Sequence, residues 1–288
     1  MKNRYFKFSN TEIEIQMPET MKYPDNMKKF KVDKVNSKYY YKIEFTEDLK
    51  KIMDDFIEQH TSVKTIQRKN MLILLSKDIE LRVIWIVGTN QPYAITIEQN
   101  MCETKIWIDP WIKPLLQSDT VFGSLLALEK KVLEEGALIL HSAYICRKNK
   151  AVLFTAPSGT GKSTQADLWK KYRKTRTING DRTLIVRKVD GWYAYGWPIC
   201  GSSEICYNES YPIQAIVVLK QAKVNKVRRM NRGESVKKIL SEVTVNTWNS
   251  DFQRKTFNLL DDLTQDVGIY ELECNISEEA VNCLELKI

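Results

Sequence analysis

In mid-chain a run of strand-favouring residues, Ala151-Val-Leu-Phe-Thr155, gives way to Ala156-Pro-Ser-Gly-Thr-Gly-Lys162 and then to the helix-compatible Ser163-Thr-Gln-Ala-Asp-Leu-Trp-Lys-Lys171, with apolar Ala166 and Trp169 three apart. A strand, a glycine-rich turn and a helix N-terminus aim backbone N–H groups and the positive end of a helix dipole at one point, which suits an anion. Glycine lets phosphate come close and reaches backbone angles that strain other residues. The segment therefore predicts a phosphate loop in which Ser158, Gly159, Thr160, Gly161, Lys162, Ser163 and Thr164 bind a nucleotide. Lys162 would neutralise the β- and γ-phosphates, and the Ser163 hydroxyl would ligate Mg²⁺. The general motif has Gly where this chain has Ala156, but Ser158 to Thr164 retain its chemistry. The plainer alternative, a glycine turn that binds nothing, leaves the flanking strand and helix patterns without a purpose.

At 288 residues, 43% hydrophobic and 28% charged, the chain has the make-up of one large globular domain or two moderate ones. No stretch approaches the roughly 18 apolar residues of a membrane span. The longest apolar segment, Ala137 to Ile145, is half that and carries His141. The N-terminal Met1 to Ser9 lacks the apolar core of a secretion signal. The six cysteines form no C-x-x-C pair, so reduced thiols and a cytoplasmic location are expected. The net charge of +8 gathers in Arg147 to Lys150, Lys170 to Arg176 and Lys220 to Arg229. None of these stretches resembles an aromatic stacking module or a recognition helix, so solvated faces are expected rather than a nucleic-acid surface.

Residues 1–130 read as a strand-rich domain and 131–288 as a nucleotide-binding one. Tyr5 to Phe8, Ile13 to Met17, Tyr39 to Phe45, Leu72 to Leu75, Leu81 to Val87 and Tyr93 to Ile97 have strand character. Leu49 to Phe56 predicts a short helix, and Phe122 to Glu135 a longer one closed by Gly136. Leu138 to Ile145 and Ala151 to Thr155 predict a hairpin that delivers the loop, and Asp190-Gly191 predicts another. Asp181 follows Thr177-Ile-Asn-Gly180 and precedes an apolar run, which puts it at the start of a strand. In parallel-sheet nucleoside triphosphatases the corresponding carboxylate ends one. Helices are expected from Ser235 and over Trp248 to Leu263, with a last strand at Ile269 to Cys274.

At Leu140-His141-Ser142, Ala156 to Thr164, Asn179-Gly-Asp181 and Gly196 to Glu204 the chain resembles the HPr kinase/phosphorylase superfamily, which shares its catalytic fold with phosphoenolpyruvate carboxykinases. The resemblance covers about residues 135–220. It implies an α/β fold of α+β character: a mixed, largely antiparallel sheet with an embedded phosphate loop of that type, beside the N-terminal strand-rich region. It further implies an ATP-dependent serine kinase that uses Mg²⁺ held by Ser163 and Asp181. Asp181 would accept the acceptor's proton or orient its hydroxyl. Lys162 would neutralise the transferred phosphoryl group, and His141 would bind phosphate or position Asp181. Glu204 is a further candidate metal ligand, and Arg228, Arg229 and Arg232 are candidate charge-stabilising arginines. The family carries an Asp pair where this chain has Gly180-Asp181. A different C-terminal end puts phosphorylase activity and hexameric assembly in doubt, leaving a homo-oligomer open.

The implied partners are a nucleotide and a hydroxyl-bearing protein, peptide or small molecule. Without the first Asp, a non-catalytic nucleotide-binding adaptor for a peptide-modification system is the alternative from another class. A carboxykinase-like enzyme is a third, though it would need metal and substrate residues not found here. A lone histidine on an apolar strand, and an aspartate after Asn-Gly, also have purely structural readings as a core residue and a turn former.

Overall fold

The computed structural model describes residues 1–288 except Asp78 and Asn90, and the chain divides into two compact units, Met1–Lys131 and Val132–Ile288. Both are mixed α/β, each built on one mixed sheet.

In the first unit the strands are β1 (Lys2–Phe8), β2 (Thr11–Met17), β3 (Lys31–Val32), β4 (Tyr39–Phe45), β5 (Lys64–Gln67), β6 (Met71–Ser76), β7 (Ile79–Trp85), β8 (Pro92–Glu98) and β9 (Glu103–Ile108). They form one sheet in the order β3-β1-β2-β4-β9-β8-β7-β6-β5. Alternation places Ile13, Ile15 and Met17 of β2 on the buried face, as a period of two requires. Four helices accompany them: α1 (Asp25–Lys28), α2 (Leu49–Gln59), α3 (Asp119–Ser124) and α4 (Leu128–Glu134), the last crossing the unit boundary. The single helix expected over Phe122 to Glu135 is instead two. Leu125, Leu126 and Ala127 are all buried, which one helical stripe cannot achieve, and Ala127 turns the chain at φ +46°. Strands β3, β5 and β9 were not legible in the sequence, two of them being short edge strands.

The second unit runs β10 (Ala137–Arg147), β11 (Lys150–Thr155), α5 (Lys162–Arg173), β12 (Arg176–Asn179), β13 (Arg182–Lys188), β14 (Gly191–Tyr195), β15 (Ser210–Gln221), β16 (Lys226–Arg229), α6 (Arg232–Leu240), α7 (Ser250–Asp266), β17 (Ile269–Cys274) and α8 (Glu278–Glu285). The sheet order is β11-β10-β13-β14-β15-β17-β16, with β12 beside β10 and β11 also beside β15. Neighbours are antiparallel except β11/β15 and β15/β17. Hairpins form at Lys148-Asn149, both at positive φ, and at Asp190-Gly191.

Eleven-residue β10 positions the site, because it changes partner midway. Ala137 to His141 pair with β13, and Ser142 to Arg147 pair with β11. His141 lies at that switch, opposite Arg182, with Thr155 at the end of β11 opposite Ser142. Beneath, Phe154, Trp169, Val217, Leu272 and Leu284 build a core in which the helix after the loop is packed against the sheet and α8. Among the described residues no helix is long and apolar enough to cross a membrane.

Candidate functional site

The turn from β11 into α5 has the geometry that its sequence predicts. Gly159 and Gly161 sit at φ +79° and +115°, the left-handed region where a side chain is strained. A Cβ on Gly159 would meet nothing within 4 Å, so the loop faces open space. The first-turn amides of α5, from Lys162 to Thr164, have no intrahelical acceptor and add the helix dipole to that space. Ser158 and Ser163 are exposed, and Thr160 and Thr164 are half-buried. The Lys162 ammonium is buried and folded back over the loop, donating to the Ala156 carbonyl at 2.8 Å. Burial lowers its pKa from the ordinary lysine value, opposed by the charges of Glu242 and Asp181.

Asp181 immediately precedes β13, next to the strand start expected of it, held by a buried turn. Asn179 Oδ1 accepts from the Asp181 and Arg182 amides, both at 2.9 Å, while its Nδ2 donates to the Trp197 carbonyl at 2.6 Å. The Ser142 amide donates to the Asp181 carbonyl at 2.9 Å. Gly180 is closely approached: a Cβ there would stand 2.1 Å from Ser203 Oγ. Asp181 Oδ1 lies 3.3 Å from His141 Nε2, and Oδ2 lies 3.4 Å from Arg182 Nε. The hydrogen bond from His141, assisted by the charges of Arg182 and Lys162, holds the Asp181 carboxyl below its ordinary pKa despite partial burial. It is an ionised acceptor at neutral pH.

The second unit thus brings His141, Lys162 and Asp181 into one electrostatic neighbourhood. It adds Arg182 and Glu242, which sequence reasoning did not single out. Glu242 Oε2 lies 3.2 Å from His141 Nδ1, across 101 positions of chain. No local pattern could have revealed that pairing. Arg182 was legible only as the neighbour of Asp181. The arginines nominated from sequence are engaged elsewhere: Arg228 with Glu234 and Glu271, and Arg232 with Asp261. Arg229 lies on β16, opposite Tyr270. Glu204 is exposed at the end of the short Gly201–Ser203 turn.

The donor set suits a phosphate-bearing ligand with a hard cation. The open loop and helix N-terminus suit phosphates, and Ser163 with Asp181 offers hard oxygen ligands. Mg²⁺ is commonly held by one or two carboxylates together with substrate phosphates and water. Among the described residues no group of three or more His, Cys, Asp or Glu could hold a metal by itself.

Residues 115–285 match the family model described as SynChlorMet cassette protein ScmC. No curated protein matches the chain. Among solved structures, the Hpr(Ser) kinase/phosphatase from Coxiella burnetii aligns with 10% identity and a TM-score of 0.31, covering 52% of this chain and 91% of that one.

Proposed function

The chain belongs to the SynChlorMet cassette protein ScmC family, and we propose that this member is an ATP-dependent kinase of the HPr serine kinase type. It transfers a phosphoryl group to a serine-type hydroxyl of a protein, peptide or small molecule. The observation that carries this is the pairing of Asp181 with His141 beside a phosphate loop whose lysine feels the Asp181 charge.

Phosphoryl transfer asks the protein mainly for positioning and charge neutralisation. The loop amides and Lys162 hold the β- and γ-phosphates. Ser163 and Asp181 would hold Mg²⁺, which supplies further neutralisation when bound. Asp181, kept ionised by His141, orients the acceptor hydroxyl and takes its proton as the oxygen bonds to the γ-phosphorus and the bond to the ADP oxygen breaks. Arg182, beside Asp181, adds positive charge where the transferred oxygens gather.

Thermal stabilisation by Mg·ATP tests the nucleotide site. At about a hundred times the dissociation constant it adds roughly 2.7 kcal/mol to the wild type, and Lys162→Ala abolishes the gain. Absence of any shift in the wild type would sink the proposal. Asp181→Asn then separates kinase from adaptor, because it keeps the thermal shift and loses transfer. The adaptor has one observation in its favour: Ser203 fills the space at Gly180 where an HPr kinase carries its first Asp.

A further inference from the structure

We propose that Glu242 is a positioning residue of this site, acting on Asp181 through His141; the role rests on the kinase function proposed above. Three side chains stand in line, with Asp181 Oδ1 3.3 Å from His141 Nε2 and His141 Nδ1 3.2 Å from Glu242 Oε2. Side-chain exposure falls along the line from 29% at Asp181 to 23% at His141 and 9% at Glu242. Asp181 is therefore the end that an acceptor reaches, and Glu242 is the anchored end. A ring that donates from Nδ1 to a fixed carboxylate while its Nε2 donates to Asp181 cannot turn without losing both bonds.

Glu242 can serve as the anchor because its backbone is tied to the same strand as His141. The His141 amide donates to the Glu242 carbonyl at 2.9 Å, the Thr244 amide donates to the Ile139 carbonyl at 2.9 Å, and Leu140 pairs with Val243 as an antiparallel bridge. The segment from Glu242 to Thr244 thus lies along β10 as a short added strand. Its next outward residue in the same sense, Thr244, accepts from Arg182 Nη1 at 2.8 Å. One three-residue segment holds both neighbours of Asp181. The region after residue 225, which reads in sequence as a helical appendage, contributes in this way to the site itself.

The chain has only two histidines, His60 and His141, so a His60→Gln background leaves one imidazole whose ring nitrogens are readable by ¹⁵N NMR. In that background Glu242→Ala should change the Nδ1 environment. It should also lower kcat for phosphate release from Mg·ATP, with water taking the place of the acceptor hydroxyl, by about 10- to 100-fold, the usual loss when a supporting partner is removed. KM for ATP should stay within about twofold, since nucleotide binding does not use the bond. Glu242→Gln, which keeps an acceptor oxygen in place, should recover much of the loss. An unchanged Nδ1 signal in Glu242→Ala, or a kcat equal to the wild type, overturns the assignment. If Glu242→Ala fails to fold, Glu242→Asp, one methylene short of the ring, should show the altered Nδ1 signal, and a wild-type signal overturns it. Should Mg·ATP give the wild type no thermal shift, the kinase function fails, and the Nδ1 comparison alone decides whether Glu242 orients His141.

Discussion

Gly180→Ala tests why a glycine separates Asn179 from Asp181. The added methyl would sit 2.1 Å from Ser203 Oγ and 2.4 Å from Ser203 Cβ, whereas Ser203 Cα lies at an ordinary 3.9 Å. Gly180 is not among the residues at positive φ, so backbone strain does not enter. Overpacking of this kind costs about 1–3 kcal/mol, and the lost unfolded-state freedom of glycine returns about 0.4–1 kcal/mol. The net expectation is a destabilisation of about 1–2 kcal/mol, or roughly 2–8 °C in Tm for a unit of this size. Ser203→Gly removes both clashing atoms and should rescue Gly180→Ala. It also gives up the 2.6 Å bond from Ser203 Oγ to the Cys200 carbonyl, so the single variant is itself weakened by about 1 kcal/mol. Ser203→Ala keeps the Cβ at 2.4 Å and should rescue poorly. The assay is urea unfolding of the wild type, the three single variants and the two double variants, read as interaction energies. The reasoning is refuted if Gly180→Ala unfolds with the wild type, or if Ser203→Ala rescues as well as Ser203→Gly.

Trp169 is fully buried with its ring centroid 6.3 Å from that of Phe154, so Trp169→Ala should cost about 3–5 kcal/mol in urea unfolding. Its Nε1 is buried without a partner among the described residues, so Trp169→Phe should cost much less. Glu285 ties α8 to α5 and β10 by accepting from Arg173 at 2.6 Å and Arg147 at 2.8 Å, and hydrogen bonds from both arginines lower its pKa. For an acid with a depressed folded pKa, the stabilisation is present above the unfolded value and lost as pH falls through the folded one. The Tm advantage of wild type over Glu285→Gln should therefore be full at pH 7 and close progressively below about pH 4.3; a gap that widens in acid would contradict the pairing.

Much of the site was legible because its signals are local. The loop from Ser158 to Lys162 is written in glycines at positions that adopt positive φ, with strand-forming residues before and helix-forming ones after. Asp181 reads as a strand start because Asn179 turns the chain through its own side chain, an interaction spanning three residues. Glu242 was illegible for the opposite reason. Its hydrogen bond to His141 joins residues 101 apart, and nothing near Glu242 in the chain distinguishes it from other exposed-looking glutamates. The ion pairs of Arg228 with Glu271 and of Arg232 with Asp261 were illegible likewise, since only the fold brings those carboxylates to them.

By itself the sequence determined a glycine-rich turn between a strand and a helix, hairpins at Asn149 and Asp190-Gly191, and the residues of a candidate site on β10 and before β13. These depend on backbone conformation and on periodicity within a few residues. Tertiary structure alone decided that β10 changes partner at His141, that Ser203 closes the space at Gly180, and that Glu242 reaches His141. Those contacts exist only after the sheet has assembled, because the burial and pairing that stabilise them belong to segments that have no reason to meet in an unfolded chain.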